Sequence, residues 1–202
     1  MRKILVMVAV AIMAVVNVSA QSAGSMFLKP MVGGTLSTIT KADDTKMKLG
    51  LVGGAEFGYY IADPFAVTVG VLAAMQGSAF KDNQVYKDQS TTLTYLNVPI
   101  LANYYIVGGL AVKAGIQPGF LLSAKHKFSE NYNGSWHDEE ITGTDDMKKF
   151  DLSIPVGLSY EFADFVIDAR YNFGLTKIYD NEHLDDYKNS VIMLTIGYKI
   201  NF

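Results

Sequence analysis

Between residues 47 and 60 the chain reads MKLGLVGGAEFGYY, and its apolar and polar positions alternate. Leu49, Leu51, Ala55, Phe57 and Tyr59 fall on one face, and Lys48, Gly50, Gly54, Glu56 and Gly58 on the other. A period of two predicts a β-strand with one apolar side. After the turn IADP, Phe65, Val67, Val69, Val71 and Met75 repeat that side opposite Thr68, Gly70 and Gln76. The same reading predicts strands over residues 26–37, 92–105, 110–122, 150–160, 165–174 and 191–202, which makes eight. Most are ten residues or longer. Globular strands peak near about 5–6 residues, whereas a tilted membrane-spanning strand needs about 9–11.

The connections alternate too. Tight turns are expected around Asp63, Gly108 and Asp164, and longer polar loops over residues 39–47, 77–91, 123–149 and 175–190. Short turns at one end and long loops at the other describe an eight-stranded antiparallel up-and-down transmembrane β-barrel. A soluble lipocalin-like barrel is the rival, and charge placement separates the two. Lys29, Lys48, Glu56, Lys113, Asp151, Glu161, Asp168, Arg170 and Lys199 all alternate with the apolar positions, among glycines and other small residues. This nearly balanced set suits a narrow packed interior, since eight strands leave room inside for side chains and little else. With lipid outside, a Lys or Arg facing the midplane would cost about 2–4 kcal/mol, and this register puts none there. Tyr59, Tyr60, Phe65, Tyr104, Tyr105, Tyr160, Phe162 and Phe165 gather near the turns as one expected aromatic girdle. Tyr95, Phe120, Phe150 and Phe173 are candidates for the other.

Composition agrees with export and with many strands. Arg2 and Lys3, the apolar run 4–16 and Val18-Ser19-Ala20 form the layout of a signal peptide cleaved after Ala20, leaving residues 21–202 as one barrel domain. The apolar run is shorter than the roughly 20 residues of a spanning helix. The chain has 18 Gly, 12 Tyr and 11 Phe and no Cys, which excludes disulfides, thiolate chemistry and a lipid anchor on cysteine. Removing Arg2 and Lys3 from the 17 basic residues leaves 15 against 20 acidic ones, or −5, which argues against nucleic acid as a partner. The expected surroundings are outer-membrane lipid and lipopolysaccharide.

The stretch SVIMLTIGYKINF sets Ile192, Leu194, Ile196, Tyr198, Ile200 and Phe202 on one face. Tyr198, Ile200 and Phe202 resemble the terminal signal by which barrel-assembly machinery recognises its substrates. Three further segments, TYLNVPILANYY (94–105), SIPVGLSYEF (153–162) and DARYNFGLTKIYD (168–180), resemble the strand motifs of the PorT-like outer-membrane β-barrel family of Gram-negative bacteria, small barrels of the OmpX and OmpA kind. The likeness spans nearly all of residues 21–202. It implies an outer-membrane location, no catalytic residue and no cofactor, and a link to secretion only by association.

Candidate chemistry lies in the loops. His126 with Ser123, or His137 with Asp138, could be nominated for a rim enzyme, but their spacing has no specificity, and loop residues of these types are ordinarily just solvated. The acidic stretch 180–186, which holds His183, lacks the spacing and the glycine of an EF-hand, so no metal site is expected. In the longest loop, Tyr132, Trp136, Asp138, Glu139 and Glu140 stand at the expected tip of a hairpin extension and are the candidate partner-binding residues. The expected function is structural, adhesive or partner-binding. A narrow passive channel or a secretion-associated barrel is the alternative, and a rim enzyme comes last.

Overall fold

The computed structural model describes residues 23–40, 45–80, 86–132, 135–144, 147–178 and 187–202. The signal peptide, His183 and the rest of the acidic stretch 180–186 lie outside the described residues. Eleven strands form one antiparallel sheet: β1 (Met26–Ile39), β2 (Thr45–Ala62), β3 (Phe65–Phe80), β4 (Tyr86–Asn97), β5 (Ile100–Val107), β6 (Leu110–Tyr132), β7 (Ser135–Thr142), β8 (Phe150–Phe162), β9 (Phe165–Gly174), β10 (Asn189–Tyr198) and β11 (Ile200–Asn201). They make eight staves. β4 and β5 are one stave interrupted at Val98-Pro99, β10 and β11 another interrupted at Lys199, and β7 branches from β6 outside the ring. Proline has no N–H for the ladder, and the first interruption is bridged by Val98 N donating to Pro118 O (2.8 Å) and Gly70 N to Pro99 O (2.9 Å).

The ring closes where β1 pairs β10 from Met31↔Gly197 to Ile39↔Asn189, and β11 at Phe27↔Asn201 and Leu28↔Ile200. Closure is what hydrocarbon demands, since an open edge would leave backbone groups with no partner. The side chains divide as the alternation requires. Val32, Leu51, Val71, Ile116, Leu158 and Leu194 are exposed on the outer wall, while Thr35, Glu56, Gln76, Asn103, Asp168 and Asn172 are buried inside. An outer wall this apolar is stable only against lipid.

Two expectations change. β2, β3 and β6 run to 18, 16 and 23 residues, longer than a membrane span, because residues expected in loops extend the hairpins beyond the barrel. Gly77, at φ 132°, marks where β3 passes the rim; a Cβ there would lie 2.1 Å from Thr91 O. The girdle assignment is corrected for Tyr60, Tyr95 and Tyr105. Tyr60 and Tyr95 are buried inside, and Tyr105 turns its hydroxyl to the buried Glu161. Adjacent residues of a strand face opposite ways, so Tyr59 and Tyr60, or Tyr104 and Tyr105, cannot both meet lipid. Tyr59, Tyr104, Phe165 and Tyr198 are exposed on the outer wall at the turn end, and Phe120, Phe150 and Phe173 toward the loop end.

Candidate functional site

The lumen is filled in layers. At the turn end Lys199, at the break in its stave, points inward over the rings of Phe27 (4.7 Å to the centroid) and Tyr60 (5.0 Å). Its ammonium donates to Tyr60 OH (2.5 Å) and to Glu161 Oε2 (2.7 Å), whose other oxygen accepts from Tyr105 OH (2.7 Å). This cation–π and ion-pair cluster joins β1, β2, β5, β8 and the last stave.

Above it, Arg170 Nη2 forms an ion pair with Glu56 Oε1 (2.5 Å), and Arg170 Nε donates to Asp168 Oδ1 (2.5 Å). Lys29 pairs with Glu56 Oε2 (2.8 Å), and Lys113 donates to Asp168 Oδ2. All five side chains are buried. Three positive groups share two negative ones in the lumen, each cation against a carboxylate, and a charge so far from water persists only when it is paired. Toward the loops, Asp151 accepts from Thr176 Oγ1 and from Asn189 Nδ2 (3.3 Å). An apolar cap of Ile39, Leu93, Tyr95, Leu121, Ala124, Met147 and Ile178, with Tyr187 against it, covers that end.

Eight of the nine charges expected inside are thus buried in the lumen, and the ninth, Lys48, is not fully buried. It is half-buried near the loop end, with its ammonium on Thr92 Oγ1. β2 skips its pairing with β3 between Met47 and Val52, but Lys48 keeps its register with β1, opposite the buried Ser37. The aromatic partners of Lys199 escaped the sequence reading, although Tyr60 has the same parity as Glu56.

The second candidate region is the sheet that rises past the rim. β6 pairs β4 on one side, from Asn97↔Gly119 up to Tyr86↔Glu130, and β7 on the other, from Lys125↔Thr142 to Tyr132↔Ser135. On one face Lys125 and Lys127 both reach Glu140 (2.8 and 3.0 Å), and Ser129 Oγ donates to Asp138 Oδ1 (2.6 Å). The hydrogen bonds from Lys125 and then Lys127 hold the Glu140 carboxyl below the usual carboxylate range. Trp136, Asp138, Glu139 and Glu140 are exposed along β7; Tyr132 is placed in the hairpin by its backbone, and its side chain lies outside the described residues.

The nominated enzyme pairs do not assemble. Ser123 and His126 lie three residues apart on β6 and so face opposite ways, as do the consecutive His137 and Asp138. His126 Nδ1 instead meets Thr91 Oγ1 (3.0 Å), and burial, then the charge of Lys48, lowers its pKa. Among the described residues, no group of His, Asp and Glu is arranged to hold a metal ion.

None of the curated proteins compared with the chain matches it. Among solved structures, Ail, the attachment invasion locus protein of Yersinia pestis, is similar, with a TM-score of 0.50 and 20% identity over 88% of this chain and 99% of Ail. Ail in complex with the heparin analogue sucrose octasulfate has a TM-score of 0.49 and 19% identity over 88% and 99%. Neisserial surface protein A has a TM-score of 0.48 and 11% identity over 87% of this chain and 97% of its own. At such identities the first of these carries the fold and nothing more. The model of the outer membrane protein beta-barrel domain matches residues 11–180, most of the chain. With an apolar outer wall, a charged lumen and loops gathered at one end, the chain belongs to the outer membrane protein beta-barrel domain family.

Proposed function

We propose that this outer-membrane barrel is a partner-binding or adhesive anchor, and that the sheet of β4, β6 and β7 beyond its extracellular rim makes the contact. One observation carries the reading. Among the described residues β7 pairs only with β6, so its other edge offers backbone donors and acceptors over residues 137–142. Natural proteins usually blunt such an edge, and an extended segment of a partner can add to it as a further strand. Asp138, Glu139 and Glu140 favour a protein segment carrying Lys or Arg. In this reading the barrel does no chemistry, and Trp136 supplies apolar contact area beside the edge.

Passive passage of small solutes is the competing reading, and the filled lumen counts against it. The motifs at 94–105, 153–162 and 168–180 support a place in the PorT-like branch, where the bound partner would belong to a secretion apparatus. Tyr198, Ile200 and Phe202 would serve the barrel-assembly machinery during biogenesis. The test replaces residues 127–140 with a short Gly-Ser turn, which removes the outer end of β6 with most of β7 and spares the rest of the eight staves. Cells displaying the shortened barrel should lose attachment to partner surfaces while the barrel still folds. Equal attachment by both forms would sink the reading.

A further inference from the structure

A furrow of about 410 Å³ crosses the outer wall over β5, β6 and β8 near the turn end. Register builds it. Ala102 on β5 pairs with Ala114 on β6, and Ala114 with Val156 on β8, so two methyl groups and a valine form one outward row. The next row toward the turns is taller: Phe65, Tyr104, Val112 and Leu158 stand side by side, each paired with the next. On the loop side Ile100 pairs with Ile116, and both are exposed. Successive outward positions of a strand are about 7 Å apart, so a short row between two tall ones is a trench. Lys113 and Gly157, paired across β6 and β8, close its floor, and the Lys113 ammonium is turned inward to Asp168. Apart from the Tyr104 hydroxyl at the turn-side rim, the lining side chains present carbon to the outside.

We propose that this trench is a binding site for one acyl chain of a phospholipid from the periplasmic leaflet, held there longer than the lipid that wets the rest of the wall. Lipid tails are as apolar as Leu, so packing decides which part of the wall they prefer, and small residues let them come close. A chain on a flat wall meets protein on one side. In the trench it meets protein on three, and each added contact contributes dispersion energy. Depth selects the source of the chain. The turns face the periplasm, and Tyr104, exposed over 51% of its surface, stands at the headgroup level where aromatic girdles lie. Ala102 is two residues further along the strand, about 7 Å, which is inside a leaflet whose share of the hydrocarbon is about 15 Å. That leaflet of an outer membrane is phospholipid, and lipopolysaccharide occupies the other. A second copy of the barrel fits less well. The trench wraps three staves over about 10 Å, and two rigid convex walls touch along a line, whereas an acyl chain bends to follow the curve.

The experiment is NMR on the full barrel, deuterated except for isotope-labelled alanine methyls and refolded in nanodiscs of phosphatidylethanolamine whose palmitoyl chains alone carry protons. Cross-peaks from chain methylenes to the Ala102 and Ala114 methyls should be several-fold stronger than those to Ala55 and Ala73, which face lipid on β2 and β3 outside the trench. Ala114→Leu fills the trench from its floor, and there the Ala102 cross-peak should fall to the level of the two controls while the urea midpoint holds. Should Ala114→Leu not fold, Ala102→Leu is read the same way against the Ala114 methyl. Equal cross-peaks at all four alanines of the wild type overturn the proposal, since the trench then holds lipid no longer than the open wall does. So does magnetisation transfer to Ala102 or Ala114 from a second, differently labelled barrel, which would make the occupant another copy of the chain. Loss of the palmitoyl signal on adding lipid A to the nanodiscs overturns the assignment to phospholipid.

Discussion

Arg170 Nη2 lies 2.5 Å from Glu56 Oε1 at the centre of the lumen, with both side chains closed off from solvent. Glu56 also holds Lys29 at 2.8 Å, and Lys113 stands 3.8 Å away. Removing this one carboxylate leaves three cations facing a single Asp168. Glu56→Gln should therefore destabilise the barrel by about 3–5 kcal/mol, the usual cost of stranding a buried charge. Replacing Glu56 and Arg170 together by Leu and Met should recover much of that loss, because the pair is removed with its burial cost. Urea titration followed by the mobility shift of folded barrel on unheated gels reads both, and equal stability of wild type and Glu56→Gln would refute the account.

The same knot decides conductance. Five charged side chains bridge the lumen, the apolar cap covers one end and the Lys199 cluster fills the other. Purified protein in planar bilayers should give no stable porin-like current, in keeping with the narrow interior of eight strands. A reproducible, ion-selective current that changes on Glu56 or Arg170 substitution would bring the channel reading forward.

His126 gives a pH dependence outside the membrane span. Its pKa lies below the usual His value because burial, and then Lys48, disfavours the imidazolium. The unfolded chain therefore binds the proton more readily than the folded one. The stability linked to His126 is present above about pH 6.5, the unfolded value. It is lost as pH falls from there through the folded pKa. The thermal midpoint should drop across this window in the wild type, and the drop should shrink in His126→Gln. Parallel curves for the two proteins would remove His126 from the explanation.

Phe202 donates its backbone N–H to Met26 O (2.9 Å) and exposes most of its ring at the turn end. Deleting it, or Phe202→Asp, should lower the amount of folded, heat-modifiable barrel in outer-membrane fractions while export continues. Both a seam contact and a recognition signal predict the fall. Purified Phe202→Asp separates them, since normal refolding into lipid vesicles in vitro leaves recognition as the cause. Undiminished folded protein from both variants in cells would defeat the prediction.

The barrel is legible in the sequence because lipid outside and polar packing inside impose one strict rule on every strand, and residues such as Leu49 and Glu56 obey it without exception. The same rule, applied to each adjacent aromatic pair, would have turned Tyr60 and Tyr105 inward. What stayed hidden depends on three-dimensional register. The sequence does not reveal that Lys199 reaches Glu161 two staves away, because that contact follows from the stagger of a closed ring. Lys48 keeps the expected parity opposite Ser37, and it is only half-buried because it stands near the loop end.

Trp136 lies on β7 opposite Asn131, exposed over 40% of its surface, close to the end of the protruding hairpin. Tryptophan is enriched among binding hot spots, where truncation costs about 2 kcal/mol or more. If the ring meets the partner, Trp136→Ala should weaken attachment roughly 30-fold, the equivalent of that energy. The barrel's urea midpoint should stay the same. Charge changes at Asp138, Glu139 and Glu140 should act differently, since exposed charges at the rim of an interface mainly steer encounter. They should slow association at low salt and matter little at high salt. Surface plasmon resonance on nanodisc-embedded wild type and variants, run against captured surface material at two salt concentrations, measures both effects. Unchanged binding by Trp136→Ala, together with a lowered unfolding midpoint, would mean that the ring packs on its own hairpin, and the contact would then have to rest on the β7 edge alone.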